Sequence, residues 1–171
     1  MNIKLIRPTL EMKEEALAYR QAHFDAGEYI ISGSELLDQT EDYEDWVRSV
    51  EANTSPETVN PQWVLTDTFF AVDEAGKIVG IIDLRHELND FLKDFGNVGY
   101  SVKPSERRKG YATEMFRQIR EIAKASGMKQ LQMAVHRDNQ PSVKTIVSAG
   151  GVACRSFIAE EKWADIYLIT L

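Results

Sequence analysis

Three basic side chains, Arg107, Arg108 and Lys109, run directly into Gly110, Tyr111, Ala112 and Thr113 at the start of a strongly amphipathic stretch. The first residues of a helix carry backbone N–H groups with no intrahelical partner, and the helix dipole adds partial positive charge there. Gly110 lets the backbone approach a ligand closely, Arg107 and Arg108 offer planar forks for oxyanions, and Thr113 adds a hydroxyl. Such a run predicts the holding of a phosphate group. As a bare pattern it is equally a solvated turn before a helix. It is neither G-x-x-x-x-G-K-[ST] nor G-x-G-x-x-G, so it matches neither the Walker loop nor the dinucleotide fingerprint.

A second group of candidates lies upstream. Along Ile78 to Leu88 the side chains alternate, with Ile82, Leu84, His86 and Leu88 on one face and Asp83, Arg85 and Glu87 on the other. Asp83, Glu87 and His86 are the groups here that could take a proton near neutral pH, and each is equally an ordinary ion-pair or core residue. The histidines at 23, 86 and 136 have no metal-ligand spacing, so no metal is expected. Cys154 reads as a packed residue rather than a nucleophile. Trp46 and Trp63 read as core, Tyr111 as packing, and Tyr100 as inward-facing with Val98 and Val102.

The elements that must position these groups are legible from periodicity. Residues 2–7 read as a strand ended by Pro8. Thr9 reads as the cap of a helix to about Phe24, closed by Gly27. Ser34 looks like the cap of a second helical region in which Tyr43, Trp46, Val47 and Val50 recur at helical spacing. Residues 53–61 read as a loop. Strands are expected over 63–72 and 78–88, joined by the turn Asp73-Glu-Ala-Gly76-Lys, and over 97–102. The next helix carries Ala112, Met115, Phe116, Ile119, Ile122 and Ala123 on one side, with Gly127 past its end. A strand at 131–135, a helix opened by Asn139 with Val143, Ile146 and Val147 inward, and two strands near 152–157 and 163–171 complete the chain. The fold class is therefore α/β: a mixed, mostly antiparallel sheet of about seven strands flanked by about four helices, in one domain over residues 1–171.

Composition narrows the partners. With 43% hydrophobic and 27% charged residues in 171, the chain has the make-up of a soluble globular domain. A net charge of −7 argues against nucleic acid as a partner. Residues 25–51 hold nine acidic side chains and one basic one, a local net of −8 that leaves +1 for the rest. This acidic stretch would draw in a cationic amine, or is simply a solvated face. The single cysteine excludes an internal disulfide and fits a reducing compartment. No apolar run has the length of a membrane span and the N-terminus lacks a signal-peptide core, so a cytoplasmic location and no membrane partner are expected.

Arg107-x-x-Gly110-x-Ala112 resembles the [QR]-x-x-G-x-[GA] pyrophosphate loop of the GNAT superfamily of acyl-CoA-dependent N-acyltransferases. Val102 ends a strand five residues ahead of Arg107, as in that family, and Asn139-Gln-Pro-Ser142 leading to Gly150-Gly151 resembles its N-x-x-[AS]…G-[FG] segment. Leu84-Arg-His-Glu-Leu and Gly99-Tyr-Ser-Val look like a bacterial subgroup of predicted acetyltransferases. The strand order agrees from Asn2 to Leu171, with residues 9–61 matching only in being helical.

The resemblance implies a GNAT-like fold and acetyl-CoA (coenzyme A) as co-substrate. Backbone groups of Ser101 and Val102 would pair with the pantetheine arm. Arg107, Arg108, Lys109, Gly110, Tyr111, Ala112 and Thr113 would hold the pyrophosphate through backbone N–H groups. Asn139 would hydrogen-bond the pantetheine with Ser142 beside it. A primary amine on a small molecule or peptide would then attack the thioester directly, without a covalent acyl-enzyme. Two positions depart from the family pattern. Ile146 stands where many relatives carry an acid tyrosine, and Gly96 and Asn97 stand where many carry a carboxylate base. Glu87 is the expected base. A non-catalytic acyl-CoA-binding module is the alternative, a phosphate-binding domain without CoA chemistry the third reading, and a homodimer stays open beside a monomer.

Overall fold

A computed structural model of the chain describes residues 2–171. Strand β1 (Ile3–Ile6) leads through a 3₁₀ turn into helix α1 (Lys13–Asp25), and after an irregular stretch comes α2 (Tyr43–Ala52). Strands β2 (Thr66–Asp73), β3 (Ile78–Arg85) and β4 (Val98–Val102) precede α3 (Tyr111–Ala125), β5 (Gln130–His136) and α4 (Gln140–Ser148). Strands β6 (Val152–Ala159) and β7 (Lys162–Thr170) end the chain. The seven strands form two antiparallel sheets, β1-β2-β3-β4 and β5-β7-β6, rather than one continuous sheet.

Strands β2 and β3 are buried on both faces, which is why they read as nearly unbroken apolar runs. On one face Tyr19 of α1 and Tyr43, Trp46 and Val50 of α2 pack on Phe70 and Ile81. On the other, Met115, Phe116 and Ile119 of α3 pack on Phe69, Ile82 and Val102. The β2–β3 turn forms as expected: Asp73 Oδ1 accepts from the N–H of Ala75 and Lys77, both at 2.9 Å, and Gly76 takes a φ of +78°.

Three expectations are corrected. Thr9 makes no side-chain cap, and its carbonyl instead accepts from Tyr43 Oη at 2.7 Å. Asp42, not Ser34, caps α2, accepting from Glu44 N at 2.8 Å. Ser34 cannot start a helix because Glu35 and Leu36 follow it with φ of +48° and +68°. Val147 is 52% exposed, so α4 buries only its Ile146 flank.

The two sheets meet at a short seam. Gly96 bridges Met133, Asn97 N donates to Gln132 O at 2.7 Å, and Asn97 Oδ1 accepts from Gln132 N at 2.8 Å. Asn97 Nδ2 also donates to Arg85 O at 3.0 Å, so one side chain stitches β3, the start of β4 and β5. Beyond this seam β4 and β5 do not pair.

Candidate functional site

Strand β4 is bonded to β3 through alternate residues. Arg85 N donates to Asn97 O and Lys103 N to Val79 O, which assigns the odd-numbered positions 97–103 to β3. The backbone N–H and C=O of Val98, Tyr100 and Val102 therefore point into the split between the sheets. Ser101 faces β3, and its carbonyl accepts from Tyr19 Oη at 3.1 Å while its Oγ donates to Ser32 O. Of the expected pair Ser101 and Val102, only Val102 turns its backbone groups into the split, together with Tyr100.

Two cavities flank this split and share Ser32, Tyr100, Asn139 and Ser142. The larger, about 700 Å³, is walled by Ser101, Val102, Arg107, Arg108, Gly110 and Tyr111, with Ala112, Thr113, Asn139 and Ser142 completing the expected set. Lys109 alone of that set does not line it and pairs with Glu106 at 2.8 Å. Gly110 takes a φ of +86° as the residue before α3, and no side chain caps the helix, so its first N–H groups are left for a ligand. Asn139 Oδ1 accepts from Ser142 N at 3.4 Å at the start of α4.

The two arginines do not act alike. Arg107 donates from both terminal nitrogens to Glu28, at 2.6 and 2.7 Å, and from Nε to Val102 O at 3.1 Å. Its guanidinium is thus committed to the protein rather than to a phosphate. Glu28 in turn lies 2.9 Å from Nδ1 of His23, which is 1% exposed. A carboxylate only accepts, so that nitrogen carries the proton. The Arg107 guanidinium holds the Glu28 carboxyl down to about 2, and burial lowers the affinity of His23 for a second proton. Arg108, at a φ of +63°, makes no ion pair among the described residues and supplies the loop's available charge.

The smaller cavity, about 350 Å³, runs between Val98 and Gly99 of β4 and Met133 to His136 of β5. Phe95, Phe157 and Ile146 add apolar wall, and Arg85, Asp94 and His136 polar groups. Arg85 donates to Gly96 O at 3.0 Å and to Asp83 at 3.1 Å. Asp94 pairs with Arg155 at 2.7 Å. At the junction of the cavities Tyr100 Oη donates to Ser142 Oγ at 2.9 Å. Burial raises the Tyr100 pKa, so the phenol stays a donor.

Glu87 lies beyond the end of β3, exposed, and lines neither cavity. The alternation that grouped it with Asp83 stops at Arg85, where the chain turns and His86 N bonds Leu65 O. His86 is tied to Asp67 at 2.6 Å and also lines neither cavity. Cys154 is exposed on β6 rather than packed. Trp46 is core, as read, whereas Trp63 is partly buried against Phe91. Of the acidic stretch, Asp42 caps a helix, Asp38 holds Ile31 N at 2.7 Å, and only Glu28 reaches a cavity wall. Glu28, Glu35 and Tyr100 escaped the sequence reading because their partners are distant in the chain. No group of three or more His, Cys, Asp or Glu suited to a metal occurs among the described residues, and no helix there is long and apolar enough to cross a membrane.

The acetyltransferase (GNAT) domain family matches residues 5–152. None of the curated proteins matches the sequence. Among solved structures, a protein described as a GnaT-family acetyltransferase from Bordetella pertussis superposes with a TM-score of 0.71 at 14% identity, covering 98% of this chain and 95% of its own. One described as a ribosomal-protein-serine acetyltransferase from Vibrio cholerae gives 0.69 at 13% identity, covering 100% and 95%. The acetyltransferase yncA from Salmonella typhimurium, solved with its cofactor acetyl-CoA, gives 0.67 at 14% identity, covering 99% and 94%.

Proposed function

Since the chain belongs to the acetyltransferase (GNAT) family, we propose that it moves an acetyl group from acetyl-CoA to a primary amine, by direct attack of the amine on the thioester. The observation that carries this reading is the split itself. An unpaired strand edge at Tyr100 and Val102 runs from a loop of unpaired N–H groups, across four shared residues, into a second cavity. Pyrophosphate would lie on the start of α3 with Arg108, and the pantetheine arm along β4 as an added strand. The thioester would then sit at Tyr100, Asn139 and Ser142, with the acceptor in the smaller cavity.

In the reaction the amine nitrogen forms the new bond to the acetyl carbon, and the carbonyl electron pair moves to oxygen. Collapse of that intermediate breaks the C–S bond, and the pair leaves on sulfur. Ile146 is aliphatic and 1% exposed, so it donates nothing. Tyr100 already donates to Ser142 Oγ, which leaves the Ser142 hydroxyl hydrogen to meet the thiolate. Cys154 lines neither cavity, in keeping with the absence of a covalent acyl-enzyme from this scheme.

A second reading, a non-catalytic acyl-CoA-binding module, is favoured by one observation: the family's tyrosine and carboxylate positions carry Ile146 and the seam residues Gly96 and Asn97. The acceptor's mass separates the two. Incubation with acetyl-CoA and a panel of polyamines, amino acids, aminoglycosides and basic peptides should add one acetyl group to a nitrogen of one amine class. Tight CoA binding with every acceptor unchanged would select the binding module.

A further inference from the structure

The segment between Glu28 and α2 forms a roof over β4. A Cβ on Gly33 would fall 2.3 Å from Gly99 O, so the two backbones touch, and Ser32 and Gly33 both line the smaller cavity. Two residues on, Glu35 and Leu36 are both left-handed, with φ of +48° and +68°. Such non-glycine conformations are disfavoured and persist only where the surroundings impose them. Here Trp46 Nε1 imposes them, donating to both Ser34 O and Glu35 O at 3.0 Å. The strained turn does not serve to bury Leu36, which is 63% exposed. What it does is turn the Glu35 carboxyl in toward Asp83 and Arg85 of β3, with the indole of Trp63 alongside.

We propose that Glu35 accepts the ammonium proton of the acceptor amine, in place of the carboxylate missing at Gly96 and Asn97. This rests on the acetyl-transfer reading above. Asp83 is fully buried, and its two oxygens are already taken by Gly99 N at 2.7 Å and Arg85 at 3.1 Å. Glu35 is only half-buried, and the buried N–H of the neighbouring Trp63 has no hydrogen-bond partner among the described residues. Burial first, and the Asp83 carboxylate second, raise its proton affinity, while Arg85 opposes them. Glu35 lines neither cavity, but Arg85, whose charge it feels, and Gly99, which Gly33 of its own segment touches, both line the smaller one, so the transfer we propose carries the proton through one water. Removing it from the ammonium frees the lone pair that attacks the thioester. The second nitrogen proton leaves with the thiolate, and Glu35 returns its own to solvent.

The test compares the wild type, Glu35→Gln and Glu87→Gln on an amine that the wild type acetylates, across pH. Glu35→Gln should lower kcat/KM for the amine by roughly 10²–10⁴-fold and remove an acidic limb lying above the ordinary carboxylate range. The rise in Tm on adding acetyl-CoA should be unchanged. Glu87→Gln should keep both rate and limb. A proton affinity raised in the native state also means that stability falls as pH rises through that limb, and Glu35→Gln should flatten this fall. Retention of rate and limb in Glu35→Gln overturns the proposal. So does loss of its acetyl-CoA response, which would make Glu35 a support for the roof. A wild type that acetylates no amine defeats the acetyl-transfer reading, and this inference with it.

Discussion

Glu28 takes both terminal nitrogens of Arg107 and is itself braced by a buried histidine, so the loop's most recognisable side chain works as an anchor. A carboxyl held at about 2 stabilises the fold above its ordinary range near 4.5, and that contribution disappears as pH falls from about 5 toward 2. Glu28→Gln should therefore flatten the acid side of a Tm-against-pH curve, whereas an unchanged slope would mean that the ion pair contributes nothing. In the proposed function, anion capture falls instead to Gly110 and the N–H groups behind it. Aspartate tolerates a left-handed φ better than most residues, so Gly110→Asp should fold, yet it sets a negative charge where the pyrophosphate belongs. Its Kd for CoA should rise at least on the order of tenfold in calorimetry, through like-charge repulsion; an unchanged Kd would put the phosphates elsewhere. The loop was legible because residues 107–113 are contiguous and local. The pairing of Glu28 with Arg107 was not, since 79 positions separate them and only the fold brings them together.

Among the elements, the seam at Asn97 decides the shape of the site. Its side chain serves Gln132 N and Arg85 O while its own N–H bonds Gln132 O, closing the sheets at one end and leaving them apart at the other. Asn97→Ala removes two part-buried hydrogen bonds to the backbone and should destabilise the fold by about 1–3 kcal/mol in urea unfolding. A loss of a few tenths would show that the sheets are held by packing alone. The helices and strands themselves were readable wherever one face is apolar at a regular period, as in α3 with Met115, Phe116, Ile119 and Ala123. Failures came where a long-range contact overrides local preference. Trp46 holds the carbonyls of Ser34 and Glu35 and so breaks the helix that Ser34 seemed to start. Glu87 shares a face with Asp83 only if the alternation continues past Arg85, where the strand ends.

For the whole molecule, the division into two sheets is what sequence periodicity could not express. Each strand looks the same whether its neighbour is paired or splayed, and the split exists only because β4 pairs with β3 along its length and meets β5 at one end. That geometry joins the basic loop before α3 to a mostly apolar cavity across Tyr100 and Ser142. The members of the acidic stretch largely cap, brace and solvate rather than line the smaller cavity. The most direct test of the account is the initial rate of free-thiol release from acetyl-CoA, with and without each amine of the panel. Acetyl transfer in this site should give release that depends on one class of amine and that Gly110→Asp suppresses at limiting acetyl-CoA. Release at the same slow rate with and without every amine would contradict it.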